Sequence, residues 1–147
     1  MYTPEEFDLA KQKVLKYIVF KKRSKAEVKN KFARVIDSEL LNDLIDELEE
    51  NGYINDDNYI SRSIEDFINL NNLSLREVKY KLMTKGISGD KIEDYFSANY
   101  EKLYDYELKS AKKIKIKKEN SLDEEEIKAF LLKKGYRQEI VKEVFED

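Results

Sequence analysis

Two kinds of residue cluster on this chain could do chemistry. Carboxylates crowd one stretch as Asp43, Asp46, Glu47, Glu49 and Glu50, and a second as Asn55-Asp56-Asp57-Asn58. Paired carboxylates in a concave site can divide general acid and base work, and an oxygen-rich run can hold a hard cation. Basic side chains gather in three places: Lys21-Lys22-Arg23 with Lys25, then Arg76 with Lys79, then Lys133-Lys134 with Arg137. Groups of this kind meet phosphates or acidic protein surfaces. The 147 residues include no His and no Cys. Imidazole bases, thiol nucleophiles, disulfides and Cys/His zinc sites are therefore excluded. There is no phosphate-cradling glycine loop, nucleophile elbow or calcium loop. The acids of 43–50 fall on the polar face of a helix whose apolar stripe is Leu41, Leu44, Ile45 and Leu48. Asn55 or Asp56 serves more simply as a helix cap than as a cation ligand. The sequence therefore predicts no catalytic residue, no metal and no cofactor.

The elements that carry these clusters are helical. One Pro and four Gly are too few for a turn-rich β fold, and 41% apolar residues suffice for a packed core. No apolar run nears the ~18 residues of a membrane span, and the acidic start Met1-Tyr2-Thr3-Pro4-Glu5-Glu6 is unlike a secretory signal. The expectation is a soluble, cytoplasmic, monomeric protein without a membrane partner.

Three segments repeat one pattern. Ser24-Lys25-Ala26-Glu27-Val28-Lys29 leads to Phe32, Ser74-Leu75-Arg76-Glu77-Val78-Lys79 to Leu82, and Asp123-Glu124-Glu125-Glu126-Ile127-Lys128 to Leu131. Each begins with a cap residue followed three positions on by Glu, the signature of a capping box. Lys85-Gly86-Ile87 and Lys134-Gly135-Tyr136 then predict left-handed helix ends. In the first copy Val35 stands at the glycine position. An amphipathic segment precedes each copy: Phe7, Ala10, Val14, Tyr17 and Ile18; Tyr59, Ile60, Ile64, Phe67 and Ile68; and Tyr104, Leu108, Ala111 and Ile114. A short apolar-patterned segment follows each.

The pattern predicts an all-α fold, an elongated curved array of three tandem three-helix repeats over 5–54, 55–99 and 100–147. Around Ser97-Ala98-Asn99 the last two repeats could run on as one helix. The alternation Ile114-Lys115-Ile116-Lys117 is compatible with a strand, but its surroundings favour helix. Such an array offers a long surface rather than a deep pocket, which suits an extended partner.

Charge is segregated. Residues 10–35 hold ten bases and one acid, and 36–66 hold one base and eleven acids. Residues 109–118 hold six Lys and no acid, and 119–126 hold five acids and no base. The blocks are either solvated faces that neutralise one another between helices or binding surfaces. The net charge of −3 argues against tight unaided binding to bare nucleic acid. On the second copy Arg76, Lys79 and Tyr80 turn outward. Lys133, Lys134 and Arg137 do so around the third turn. Together with Lys21, Lys22, Arg23 and Lys25 they are the candidate contacts for a partner or DNA. Of the ten tyrosines, Tyr17, Tyr53, Tyr59, Tyr95 and Tyr136 take core positions, and Tyr2 and Tyr80 are free to stack on a partner.

Three stretches resemble the RecX family of regulatory proteins. Gly52-Tyr53-Ile54-Asn55-Asp56-Asp57-Asn58-Tyr59-Ile60 is similar to that family's Gly-Tyr-Leu-Asp-Asp-x-x-Tyr-Ala. Leu82-Met83-Thr84-Lys85-Gly86-Ile87 is similar to its Leu-x-x-Lys-Gly-Ile, and Phe130-Leu131-Leu132-Lys133-Lys134-Gly135-Tyr136 to its closing Phe-Leu-x-x-Arg-Gly-Phe. The resemblance implies a helical-repeat protein that binds the RecA filament on single-stranded DNA, bridges neighbouring protomers and restrains ATP hydrolysis and strand exchange. Direct nucleic-acid contact would be weak. Ser63, Phe67, Asn69, Asn71 and Asn72 depart from aromatic or basic positions common in the family, which enlarges the expected share of protein contact. Two other readings remain open: a helical protein acting directly on DNA without RecA, and a helical scaffold for another protein.

Overall fold

The computed structural model describes residues 1–146 and is all-helical among them. The helices are α1 (Pro4–Phe20), α2 (Lys25–Phe32), α3 (Ser38–Glu50), α4 (Asp56–Leu70), α5 (Leu75–Thr84), α6 (Gly89–Ala98), α7 (Tyr100–Lys118), α8 (Glu124–Lys134) and α9 (Gln138–Val144). No helix among the described residues is long and apolar enough to cross a membrane.

The chain forms two compact units, one of residues 1–60 with 85–87 and one of 61–84 with the residues from Ser88 onward. In the first, Ala10, Val14 and Ile18 of α1, Val28 and Phe32 of α2, and Leu40, Leu41, Leu44, Ile45 and Leu48 of α3 close a single core with Ile36 and Ile54. In the second, Ala111 of α7, Ile127 and Leu131 of α8, and Ile140, Val141 and Val144 of α9 pack around Tyr136. Ala10, Val14, Ile18 and Ala111 of the apolar sets read from the sequence are buried as expected, whereas Phe7, Tyr17, Tyr104, Leu108 and Ile114 pack partly buried around these cores.

All three capping boxes form. Ser24, Ser74 and Asp123 each accept from the amide of Glu27, Glu77 and Glu126, and those glutamates reach back to the cap amides. At the opposite ends, Gly86 has φ +83° and Gly135 φ +115°, conformations that side chains rarely adopt. The first copy closes differently. α2 ends at Ala33 in a right-handed conformation, and the amides of Val35 and Ile36 both donate to the Phe32 carbonyl. No left-handed residue is required there, so Val35 is accommodated and lies exposed.

At the junction left open in the sequence, α6 and α7 are separate helices. Asn99, at φ −122°, interrupts them, and both its amide and its side-chain Nδ2 donate to the Tyr95 carbonyl. Ile114–Lys117 is helical within α7. Asn55 caps α4 through the amide of Asn58, whereas Asp56 accepts from the Lys25 amide at 2.9 Å and so serves α2.

Two tyrosine expectations need correction. Tyr53 is 52% exposed, because the chain leaving Gly52 turns Ile54, not Tyr53, back into the core. Tyr2 is not free: its ring stacks on Phe7 and its hydroxyl donates to Asp43. Tyr80 is exposed as expected.

Candidate functional site

In the first unit the basic cluster sits where α1 gives way to α2. Lys21 is exposed and leaves α1 in extended conformation. Lys22 donates to the side chain of Asn58. The Arg23 guanidinium lies 4.0 Å over the Tyr17 ring, and its Nε is buried without a hydrogen-bond partner. Lys25 pairs with Glu49 at 3.0 Å, a hydrogen bond that raises the lysine pKa against the opposing effect of partial burial. Lys11 pairs likewise with Glu47 at 2.8 Å. The acids of 43–50 are thus tied to lysines or Tyr2, or lie exposed like Asp46 and Glu50. The opposite charge blocks of 10–35 and 36–66 partly neutralise one another between helices. Among the described residues no cluster of three acidic side chains could hold a metal ion.

In the second unit Arg76, Lys79 and Arg137 line one cleft of about 450 Å³ together with Leu75, Phe96 and Tyr100. Arg76 is exposed, as expected, whereas Lys79 and Arg137 are half-buried. Arg76 Nη2 donates to the Lys133 carbonyl at 2.8 Å. Lys79 pairs with Glu93 at 2.7 Å. Arg137 Nε meets Glu107, whose side chain is fully buried, at 2.8 Å. Burial would depress the arginine, but the bond to Glu107 outweighs it and raises the pKa further. Lys134 is half-buried and pairs with Glu77 at 2.7 Å. Burial pushes the Glu77 carboxyl up; bonds from Lys134 and Ser74 outweigh it and leave the pKa below the usual value. Lys133 is exposed. The expectation that Lys79, Lys134 and Arg137 stand out as solvent-facing charges is therefore corrected: each is held by a glutamate of its own unit.

The sequence reading missed Glu107 and the network around it. Glu107 Oε2 accepts from the Leu75 amide at 3.0 Å, the counterpart of Asp56 on Lys25. Tyr106 hydroxyl donates to the Leu73 carbonyl at 2.6 Å, and Ser110 shares a hydrogen bond with Tyr136. Desolvation raises the Tyr106 and Tyr136 pKa values. Leu103, Tyr106, Glu107, Ser110 and Ala111 recur at helical spacing on α7 and are its buried residues. The apolar set Tyr104, Leu108, Ala111 and Ile114 expected from the sequence shares only Ala111 with them, and the other three are partly buried beside it.

These polar clusters join one helix end to another and present no open pair of catalytic groups. No family model matches the sequence. A regulatory protein RecX of Finegoldia magna is 32% identical over 149 residues, 95% of this chain and 70% of that protein. One of Lactococcus lactis subsp. cremoris is 33% identical over 114 residues, 75% of this chain and 42% of the relative. One of Streptococcus agalactiae is 32% identical and matched over 53% of its length. The chain thus spans about half the length of several curated relatives it matches. The crystal structure of RecX from Lactobacillus salivarius superimposes with a TM-score of 0.82 at 22% identity, over 97% of this chain and 96% of that one. The fold is therefore the all-helical one found in that crystal structure, and the curated relatives are named as regulators. The chain belongs to the RecX family.

Proposed function

We propose that this chain binds RecA filaments on single-stranded DNA as a cytoplasmic monomer and slows their ATP hydrolysis and strand exchange. The observation that carries the reading is kinship with a RecX protein over 95% of the chain. The left-handed turns at Gly86 and Gly135 fall inside two of the stretches that carry the family resemblance. The polar clusters support a binding role, since their charged groups hold helices together and leave surface lysines to meet a partner. Tandem helical modules touching successive protomers would gain avidity without a strong single site.

Lys21, Lys22, Lys133 and Arg76 are the proposed contacts among the basic candidates. Arg23, Lys25, Lys79, Lys134 and Arg137 act by positioning them. The test is RecA ATPase on single-stranded DNA with the chain added at filament stoichiometry. Hydrolysis slows if the reading is right; an unchanged rate with active RecA overturns it. Reversing Lys133 alone reports on contact. Reversing Arg137, as the sequence alone would suggest, strands a buried carboxylate and damages the fold instead.

A further inference from the structure

Six lysines without an acid lie between residues 109 and 118, and the function proposed above gives them no role. α7 divides them. Lys115 pairs with Glu119 at 4.0 Å, and Lys118 lies 4.6 Å from the centre of the Phe130 ring. Lys109, Lys112, Lys113 and Lys117 are exposed. At 100° and ~1.5 Å per residue, these four share one outward arc, with Lys109, Lys113 and Lys117 ~6 Å apart along the axis. Ile116, 69% exposed, sits among them. Nearby acids have other partners: Glu124 and Glu125 hold Lys128, and Glu126 holds the Asp123 amide. On α7 itself the nearest exposed acid is Asp105, one turn before Lys109.

We propose that this face of α7 binds the phosphate backbone of a single-stranded nucleic acid. A helix dipole favours lysines only within the last turn. Lys109, Lys112 and Lys113 lie before it. Protein interfaces are depleted in lysine, whose compact, strongly hydrated charge is costly to desolvate. A membrane surface needs a broad apolar stripe beside the charge, and Ile116 alone does not supply one. Regularly spaced phosphates fit flexible point charges that need no fixed geometry. No aromatic residue lies between Lys109 and Lys117, and Tyr106, one turn before them, is buried, so the contact is independent of sequence and steep in salt.

The inference deepens the proposed function and rests on it for its setting; its test uses no recombinase, so either can fail alone. Dye-labelled oligothymidylate is titrated with the chain at rising NaCl and read by anisotropy. Replacing all four lysines (K109Q, K112Q, K113Q and K117Q) should weaken binding at low salt more than tenfold and flatten the log–log salt slope by about 3, since each neutralised phosphate of a single strand contributes ~0.7. The four-arginine variant should bind like the parent, and K13Q with K16Q and K29Q, exposed lysines of the first unit, should change little. Circular dichroism checks that each variant stays helical; if the fourfold glutamine variant does not, K109Q with K113Q replaces it, with half the effect expected. A parent chain that ignores the oligonucleotide at low salt overturns the proposal, and so does a loss equally large in the first-unit variant.

Discussion

The Ser74 hydroxyl donates to the Lys134 carbonyl at 3.0 Å while accepting from the Glu77 amide at 3.2 Å. One side chain thus caps the start of α5 and satisfies a carbonyl at the end of α8. Ser24 makes the same pair of bonds, donating to Lys85 at 2.6 Å and accepting from Glu27 at 3.1 Å. Both serines are fully buried, so an unmet hydroxyl or carbonyl there carries a desolvation cost. Ser74→Ala loses a cap worth about 1 kcal/mol and leaves the Lys134 carbonyl a bond short, for a total near 2 kcal/mol. Thr3→Ala at the exposed start of α1, where only the cap bond to Glu6 is lost, should cost about 1 kcal/mol at most. Urea unfolding of the two variants measures the difference.

Close approach explains why the serines reach those carbonyls. A Cβ on Gly86 would lie 2.1 Å from the Ala26 Cβ, and one on Gly135 would lie 2.9 Å from Ser74 Oγ. Gly86→Ala should destabilise by more than about 2 kcal/mol, through positive φ and overlap together. Adding Ala26→Gly removes the overlap but not the backbone strain. The double variant should therefore be more stable than the sum of the single effects by about 1 kcal/mol or more. Strict additivity in urea unfolding would show that the contact is absent.

Glu107 and Arg137 form an asymmetric pair, one side chain fully buried and the other 36% exposed. Arg137→Ala leaves the carboxylate buried with only the Leu75 amide as partner. The loss should be about 2 kcal/mol, less than for a wholly buried pair because water reaches the arginine side. Glu107→Ala removes both bonds and opens a cavity, and should cost more, about 3 kcal/mol. Thermal unfolding ranks the two; a milder Glu107→Ala would mean that the arginine, not the carboxylate, organises the joint.

The legible part of this protein was local. Capping boxes, glycine turns and the apolar stripe of α3 each lie within one helix or its ends, so spacing alone located them. What escaped depended on which helix stood opposite. Nothing near Lys134 in the chain signals Glu77, 57 residues earlier, and nothing beside Glu107 signals Arg137. The exposure of Tyr53 is not legible either, because one left-handed residue before it decides which of two neighbours enters the core. The lysines of α7 were counted from the sequence, but only the helix phase separates the four exposed ones from Lys115 and Lys118.

Acid should loosen the α5–α8 joint through Glu77. Its folded pKa is lower than the ordinary value, with bonds from Lys134 and Ser74 overcoming the upward push of burial. On acidification the unfolded chain takes up that proton first, so protonation favours unfolding. The contribution is complete above the unfolded glutamate value of about 4.3 and fades as pH falls through the lower folded value. Glu77→Gln keeps the size and a bond to the cap amide but cannot pair with Lys134. Its Tm should lie below that of the parent at pH 6, and the gap should close progressively between about pH 5 and pH 3. Glu93→Gln, which breaks an exposed pair with Lys79, controls for the loss of one surface charge and should show a smaller gap throughout. A Glu77→Gln gap that stays constant down to pH 3 would mean that the carboxylate's charge contributes nothing to holding α8 against the start of α5.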